Sequence, residues 1–323
     1  MTEYNFKQTE YNKPFVLNRA DPYVYKQEDG HYYFTASVPD YDKIILRKSK
    51  TIVGLGDAEE VTIWNKHENG EMSQHIWAPE LHYLDHCWYI YFAAGRKENK
   101  WRIRPYVLQC KDKDPLTGTW VELGKMQCAD KDEFSFRAFS LDATVFESKG
   151  RNYYIWAEKV GTGKMISNLY IARMESPSKL ETVQVLLTTP DYDWERKEYW
   201  VNEGPAVLKH DGRIFLTFSA SATGACYCTG LLYADEADDL LDPGSWTKLG
   251  YPVLKTDKEK GIYGPGHNSF TKSEDGTKDI MVSHARQYDE ITGDPLYDPN
   301  RHAMFLEVQW KDGMPVFEFQ KTV

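Results

Sequence analysis

The sequence predicts an all-β chain closed into a five-bladed propeller, and three observations carry that expectation. Short period-2 apolar runs fill the 323 residues, whereas sustained 3.6-residue periodicity is nearly absent. Five similar units recur, each an alternating run, a polar turn and a second aromatic-rich run. Asp21, Glu80, Asp142, Glu203 and His267 mark the openings of these units at intervals of 59, 62, 61 and 64 residues. A jelly roll or sandwich carries no such long period, whereas a ring of like units brings equivalent positions to one axis.

The elements follow in order within each unit. The first strand leads into a turn signal, Glu28 to Gly30, Ser148 to Gly150, His210 to Gly212 or Glu274 to Gly276, and a second strand returns from it. A third run begins at Lys43, Arg102, Asn168, Thr229 and Ala303 in the successive units. A fourth is visible in four units, beginning at Glu60, Thr119, Thr182 and Ser245. The last strand of the ring has two candidate sources, residues 1 to 17 or the tail PVFEFQKTV. All 323 residues are read as one folding unit. The longest polar loops follow Gly95 and span 130–136, 191–199 and 289–301, placed to rim a site on a rigid scaffold.

Composition narrows the function classes. A hydrophobic content of 41% supports a real core, and a net charge of −10 disfavours phosphate backbones, so nucleic acid is excluded as a partner. No stretch of 18 uninterrupted apolar residues occurs, and the N-terminus lacks a basic segment followed by an apolar run. The five cysteines form an odd set without zinc-type pairing and read as reduced thiols. Together these features predict a cytoplasmic chain with no membrane association. The many Trp and Tyr residues suit pleated surfaces first, and offer flat faces for sugar rings second.

The carboxylates carry the chemistry. Asp21, Asp142 and Glu203 each stand at the start of a first strand, the strand nearest a propeller's central channel. With the blades in order around the ring, Asp142 and Glu203 are neighbours and Asp21 stands apart. Crowding makes a carboxyl harder to ionise, so Glu203 is expected to keep a proton while Asp142 holds the charge. Glu203 then suits a general acid and Asp21 a general base. A gap of roughly 6.5–9.5 Å that admits a water would give inversion of configuration.

In these residues the chain resembles glycoside hydrolase family 43, five-bladed propeller enzymes acting mainly on arabinose- and xylose-containing polysaccharides. The family's ordered set matches Asp21 in RADPYVY, Asp142 in SLDATVF and Glu203 in VNEGPAVL, with a WAP motif at Trp77 to Pro79. The resemblance implies the roles of base, pKa modulator and acid respectively. It also implies substrate contacts: Trp77 stacking on sugar or packing between blades, and His267 near the channel or bonded to a turn. Arg286 is to contact sugar or form a strand-end ion pair, and Phe34 to wall the pocket or pack in the core. No cofactor is implied for the chemistry, and a calcium or other ion in the channel is an option beside His267. The runs NEGPAVLKHDGRIFLTFSASATGACYCTGLL and RHAMFLEVQWKDGMPVF resemble the single-domain α-L-arabinofuranosidase branch. An exo-acting arabinofuranosidase on short oligosaccharides is therefore expected, with a β-xylosidase or a non-catalytic sugar-binding propeller as the alternatives.

Overall fold

The computed structural model describes residues 11, 13–160 and 165–321. Its strands form five antiparallel blades. The first runs through Ala20–Lys26, Tyr32–Ser37, Lys43–Ser49 and Val61–Asn65. The second comprises Gln74–Leu84, Cys87–Arg96, Asn99–Cys110 and Trp120–Lys125. The third is Ser140–Ser148, Arg151–Val160 and Ile166–Ser176, with Val185–Thr188 outside. Trp200–His210, Arg213–Ala220, Cys228–Asp235 and Thr247–Lys248 make the fourth, and Tyr263–Lys272, Asp279–Arg286 and His302–Glu307 the fifth. Among the described residues, helix is confined to four short 3-10 turns.

The hairpins form where the sequence places them, for a conformational reason. Lys149–Gly150 and Asp211–Gly212 both take positive φ at two successive residues, the backbone that matches the twist of a tight hairpin. Blade two has no glycine at this turn. Asp85 and His86 adopt φ of +48° and +62° there instead.

Ring closure is visible in the packing. The first strands of successive blades lie side by side, and that of blade five packs back against that of blade one. Apolar clusters fill every gap between neighbours: Ile44, Trp88 and Leu108 between blades one and two, Tyr91, Val107 and Trp156 between two and three, and Ile155, Leu169 and Leu216 between three and four. Phe215, Leu231 and Met281 fill the next gap, and Val24, Phe34 and Val282 the last.

The N-terminal segment, and not the tail, supplies the closing edge. The Ala303 N–H donates to the Val16 carbonyl at 2.8 Å, and the Phe15 N–H donates to the Ala303 carbonyl at 3.0 Å, so this segment adds an antiparallel edge to blade five. Phe15 seals the seam edge-on to Phe34 and Phe305. Residues 1–10 and 12 lie outside the described residues. The tail does something else: Met314–Val316 turns back on Gln309–Lys311, and Phe317 and Phe319 bury beneath blades four and five.

Candidate active site

A β-bulge interrupts the first strand of every blade at the same depth. The paired registers skip Asp21–Pro22, Ala78–Pro79, Asp142–Ala143, Gly204–Pro205 and His267–Asn268. The leading residue of each takes positive φ: +53° at Asp21, +46° at Ala78, +51° at Asp142, +55° at Gly204 and +43° at His267. Proline lacks the N–H a ladder needs, so Pro22, Pro79 and Pro205 favour the bulge where it stands, and the bulge re-aims the preceding side chain.

This register corrects the five-member row read from spacing. Asp21, Asp142 and His267 are equivalent, but Glu203 stands one residue ahead of its bulge and Glu80 two residues beyond Ala78. Intervals near sixty cannot resolve offsets of one or two residues; the three prolines could have. Glu80 lies deeper along its strand, paired with His82 Nε2 at 2.8 Å.

At the mouth of the ring, a cavity of about 330 Å³ brings Asp21, Asp142, Glu203, His267 and Trp77 together, with Arg301 and Tyr227 beside them. Asp21 accepts from Ser37 Oγ at 2.6 Å through Oδ2. Its Oδ1 faces His267 Nδ1 at 3.3 Å and Arg301 Nη1 at 3.5 Å. Burial alone would raise its pKa, yet these cations hold it well below the usual carboxylate range. The Asp21 N–H donates to His284 Nδ1 at 3.1 Å, which leaves that ring neutral with its proton on Nε2. Burial pushes His284 down to about 3, and the ring stacks on Tyr227.

Asp142 and Glu203 behave in the opposite way. The Gly204 N–H donates to Asp142 Oδ2 at 3.2 Å, and Tyr227 donates its hydroxyl to Glu203 Oε1 at 2.9 Å. Burial raises both carboxyls, with Asp142 pushed up to about 8 by burial and by the charges of Glu203 and Asp21. Both shifts run upward, so the two carboxyls titrate as a pair. His267 Nδ1 lies 3.7 Å from Asp142 Oδ2. Although burial disfavours its charge, the carboxylates of Asp21, Asp142 and Glu203 raise the pKa of His267 above the usual imidazole value.

Of the other expected contacts, Trp77 lines the cavity and stacks on His75, its centroid 4.3 Å away, with its indole N–H unpartnered. Phe34 does not reach the site. It is fully buried in the seam between blades five and one, because both faces of its strand are covered. Arg286 is also placed elsewhere: its guanidinium is consumed by Asp298 Oδ1, the Thr223 carbonyl and the Pro295 carbonyl. Arg286 thus clamps the loops that rim the cavity. The arginine inside the cavity is Arg301, which also donates to the Tyr41 hydroxyl at 2.7 Å. Arg301, Tyr227, His284 and Ser37 escaped the sequence reading, since nothing local distinguishes them.

The channel does not fit a directly ligated metal. His267 Nδ1 is engaged by carboxylates, and among the described residues no three His, Cys, Asp or Glu groups converge as ligands. With one carboxylate held ionised and a second pair holding a proton in one small cavity, the site can take a proton from water and deliver another to a leaving oxygen.

Known proteins resemble this chain along most of its length. The model of the glycosyl hydrolases family 43 matches residues 11–315. An extracellular exo-α-(1→5)-L-arabinofuranosidase of Streptomyces avermitilis is 48% identical over 308 residues, covering 95% of this chain and 63% of that protein. This chain thus spans under two thirds of that relative's length. A protein of the same name from Streptomyces chartreusis is 48% identical, covering 88% of this chain and 85% of its own. Among solved structures, an α-L-arabinofuranosidase from Lactobacillus brevis superposes with a TM-score of 0.90 at 49% identity, covering 97% of this chain and 98% of that one.

These names correct the cytoplasmic expectation, because both Streptomyces relatives are described as extracellular. The five unpaired thiols carried no information on compartment, since the blades pack without a disulfide. By the span of the family match and the identity to its members, the chain belongs to glycosyl hydrolase family 43.

Proposed function

We propose that this chain is an exo-acting, inverting α-L-arabinofuranosidase that removes terminal arabinofuranose from α-(1→5)-linked arabino-oligosaccharides. The observation that carries the proposal is the gathering of Asp21, Asp142 and Glu203 around one cavity, with Asp21 set against His267 and Arg301 and Asp142 held by the N–H of the residue after Glu203. The pKa of Asp21 is lowered there and those of Asp142 and Glu203 are raised. The names of the Streptomyces relatives support the sugar and the linkage.

In this reading Asp21 orients and deprotonates a water that attacks the anomeric carbon on the face opposite the leaving group. Glu203 delivers its proton to the glycosidic oxygen as the bond breaks. Asp142 keeps that proton in place beforehand by making a second negative charge unfavourable, and it shares the charge afterwards. The His267 imidazolium and Arg301 keep Asp21 ionised until water is bound. The cycle ends with Asp21 protonated and Glu203 ionised, and exchange with solvent restores both.

The test uses nitrophenyl α-L-arabinofuranoside and arabinobiose, with the first-formed anomer followed by NMR. Nitrophenyl β-D-xyloside serves as the competing substrate. We expect an inverted anomer and a preference for arabinofuranoside. Asp21→Asn should lower kcat/KM by about 10²–10⁴ on both substrates. Glu203→Gln should do so on arabinobiose, with less loss where nitrophenolate leaves unaided. Retention of configuration, or full activity in either variant on the biose, would sink the assignment.

A further inference from the structure

The loop that enters blade three passes directly beside the cavity, and its underside is unusually well held. Asp132, 4% exposed, accepts from the N–H groups of Phe134 and Ser135 at 2.7 and 3.0 Å. Glu158, 3% exposed, accepts from the N–H groups of Phe136 and Ala138, both at 2.9 Å, and from the Trp156 indole at 3.0 Å. Two buried carboxylates thus fix the backbone of one surface loop. On that rigid support Phe134 presents a ring that is 64% exposed.

A second cavity, of about 450 Å³, lies under this ring. It shares Phe139, Lys159 and Met165 with the catalytic cavity, so the two adjoin at these side chains. Lys159 sits at the junction with its ammonium 4.1 Å from the centre of the Phe139 ring, and its charge acts on Glu203. A bond protonated by Glu203 would have its leaving side at this junction. Beyond it the shelf carries Glu133 and Arg137 together, which select for no net charge, and the flat ring of Phe134.

We propose that this shelf binds the leaving-group side of the substrate, as a neutral, unbranched oligosaccharide. The first leaving sugar lies against the paired Lys159 and Phe139 side chains, and the second packs a face on Phe134 toward Arg137. Sugar faces pack on aromatic rings through their C–H groups, and the hydroxyls find donors and acceptors at the edge. The inference rests on the hydrolase reading above.

Phe134→Ala and Arg137→Ala, both surface substitutions, test it with linear arabinobiose and arabinotriose. The biose places one leaving sugar and never reaches Phe134; the triose does. We expect kcat/KM on the triose to fall about three- to tenfold in Phe134→Ala while that on the biose stays within about twofold. Arg137→Ala should change the ratio in the same direction, less strongly. A wild-type enzyme active on both sugars whose ratio is unchanged in the two variants overturns the shelf alone. A wild type that cleaves neither sugar overturns the hydrolase reading and the shelf with it.

Discussion

Gly204 and Asp142 are joined across two blades: the Gly204 N–H donates to Asp142 Oδ2 at 3.2 Å. Because Glu203 immediately precedes that glycine, the contact ties the proposed acid to the carboxyl that modulates it. A bulge residue on one strand thereby sets the spacing of two titrating groups on different blades.

The pH dependence follows from the directions of the shifts. Asp21 is held ionised far into acid, whereas the proton of the Asp142–Glu203 pair is lost near the value of about 8 reached by Asp142. The kcat/KM profile should therefore be flat through mildly acid pH and fall on the alkaline side. In Asp142→Asn the remaining carboxyl loses a like-charged neighbour, so the alkaline fall should move to lower pH. Stability should be bounded on both sides. Asp142 is raised from 3.8, so its contribution is complete below 3.8 and disappears as pH rises through about 8. Asp21 is lowered from 3.8, so its contribution is present above that value and disappears as pH falls. Denaturation midpoints across pH, beside the kinetic profile, check both signs.

Gly204→Ala should destabilise the fold by about 2 kcal/mol through overpacking and lower activity. A Cβ there would stand 3.1 Å from His267 Cγ, at a φ of +55°. Ala78 already occupies the equivalent bulge at +46°, so backbone strain alone is tolerated and the clash with the imidazole decides. Urea unfolding and a His267 NMR titration would register the two effects. An unchanged imidazole pKa would remove the proposed cause.

Closure by the N-terminal segment makes position 16 far more sensitive than position 316. Val16 is 1% exposed in the seam, whereas Val316 is 38% exposed on the tail hairpin. Val16→Asp should lower stability by about 3 kcal/mol or more, and Val316→Asp by no more than about 0.5 kcal/mol. Equal losses would argue that the tail closes the ring after all.

Arg286→Met should act through the walls of the cavity. Removing the guanidinium leaves Asp298 and the carbonyls of Thr223 and Pro295 without it, at about 3 kcal/mol for the buried charge. Thr223 and Leu296 line the cavity next to those anchors, so KM should rise more than kcat falls. A variant with unchanged KM would show that the clamp does not shape the pocket.

The chain's own pattern determined the all-β ring, its five units and its three catalytic candidates, because alternation, turns and a carboxylate ahead of Pro, Ala or Gly are local features. Phe34 and Arg286 show the boundary of that information. On a strand buried on both faces alternation cannot choose a side, and an arginine at a strand end looks the same whether it meets sugar or backbone. Only the tertiary structure decided which strand closes the ring, which residue takes each bulge, and which groups hold Asp21 ionised. The physical reason is distance along the chain: Asp21 meets Arg301 across 280 residues and His284 across 263, and a pKa is set by neighbours in space.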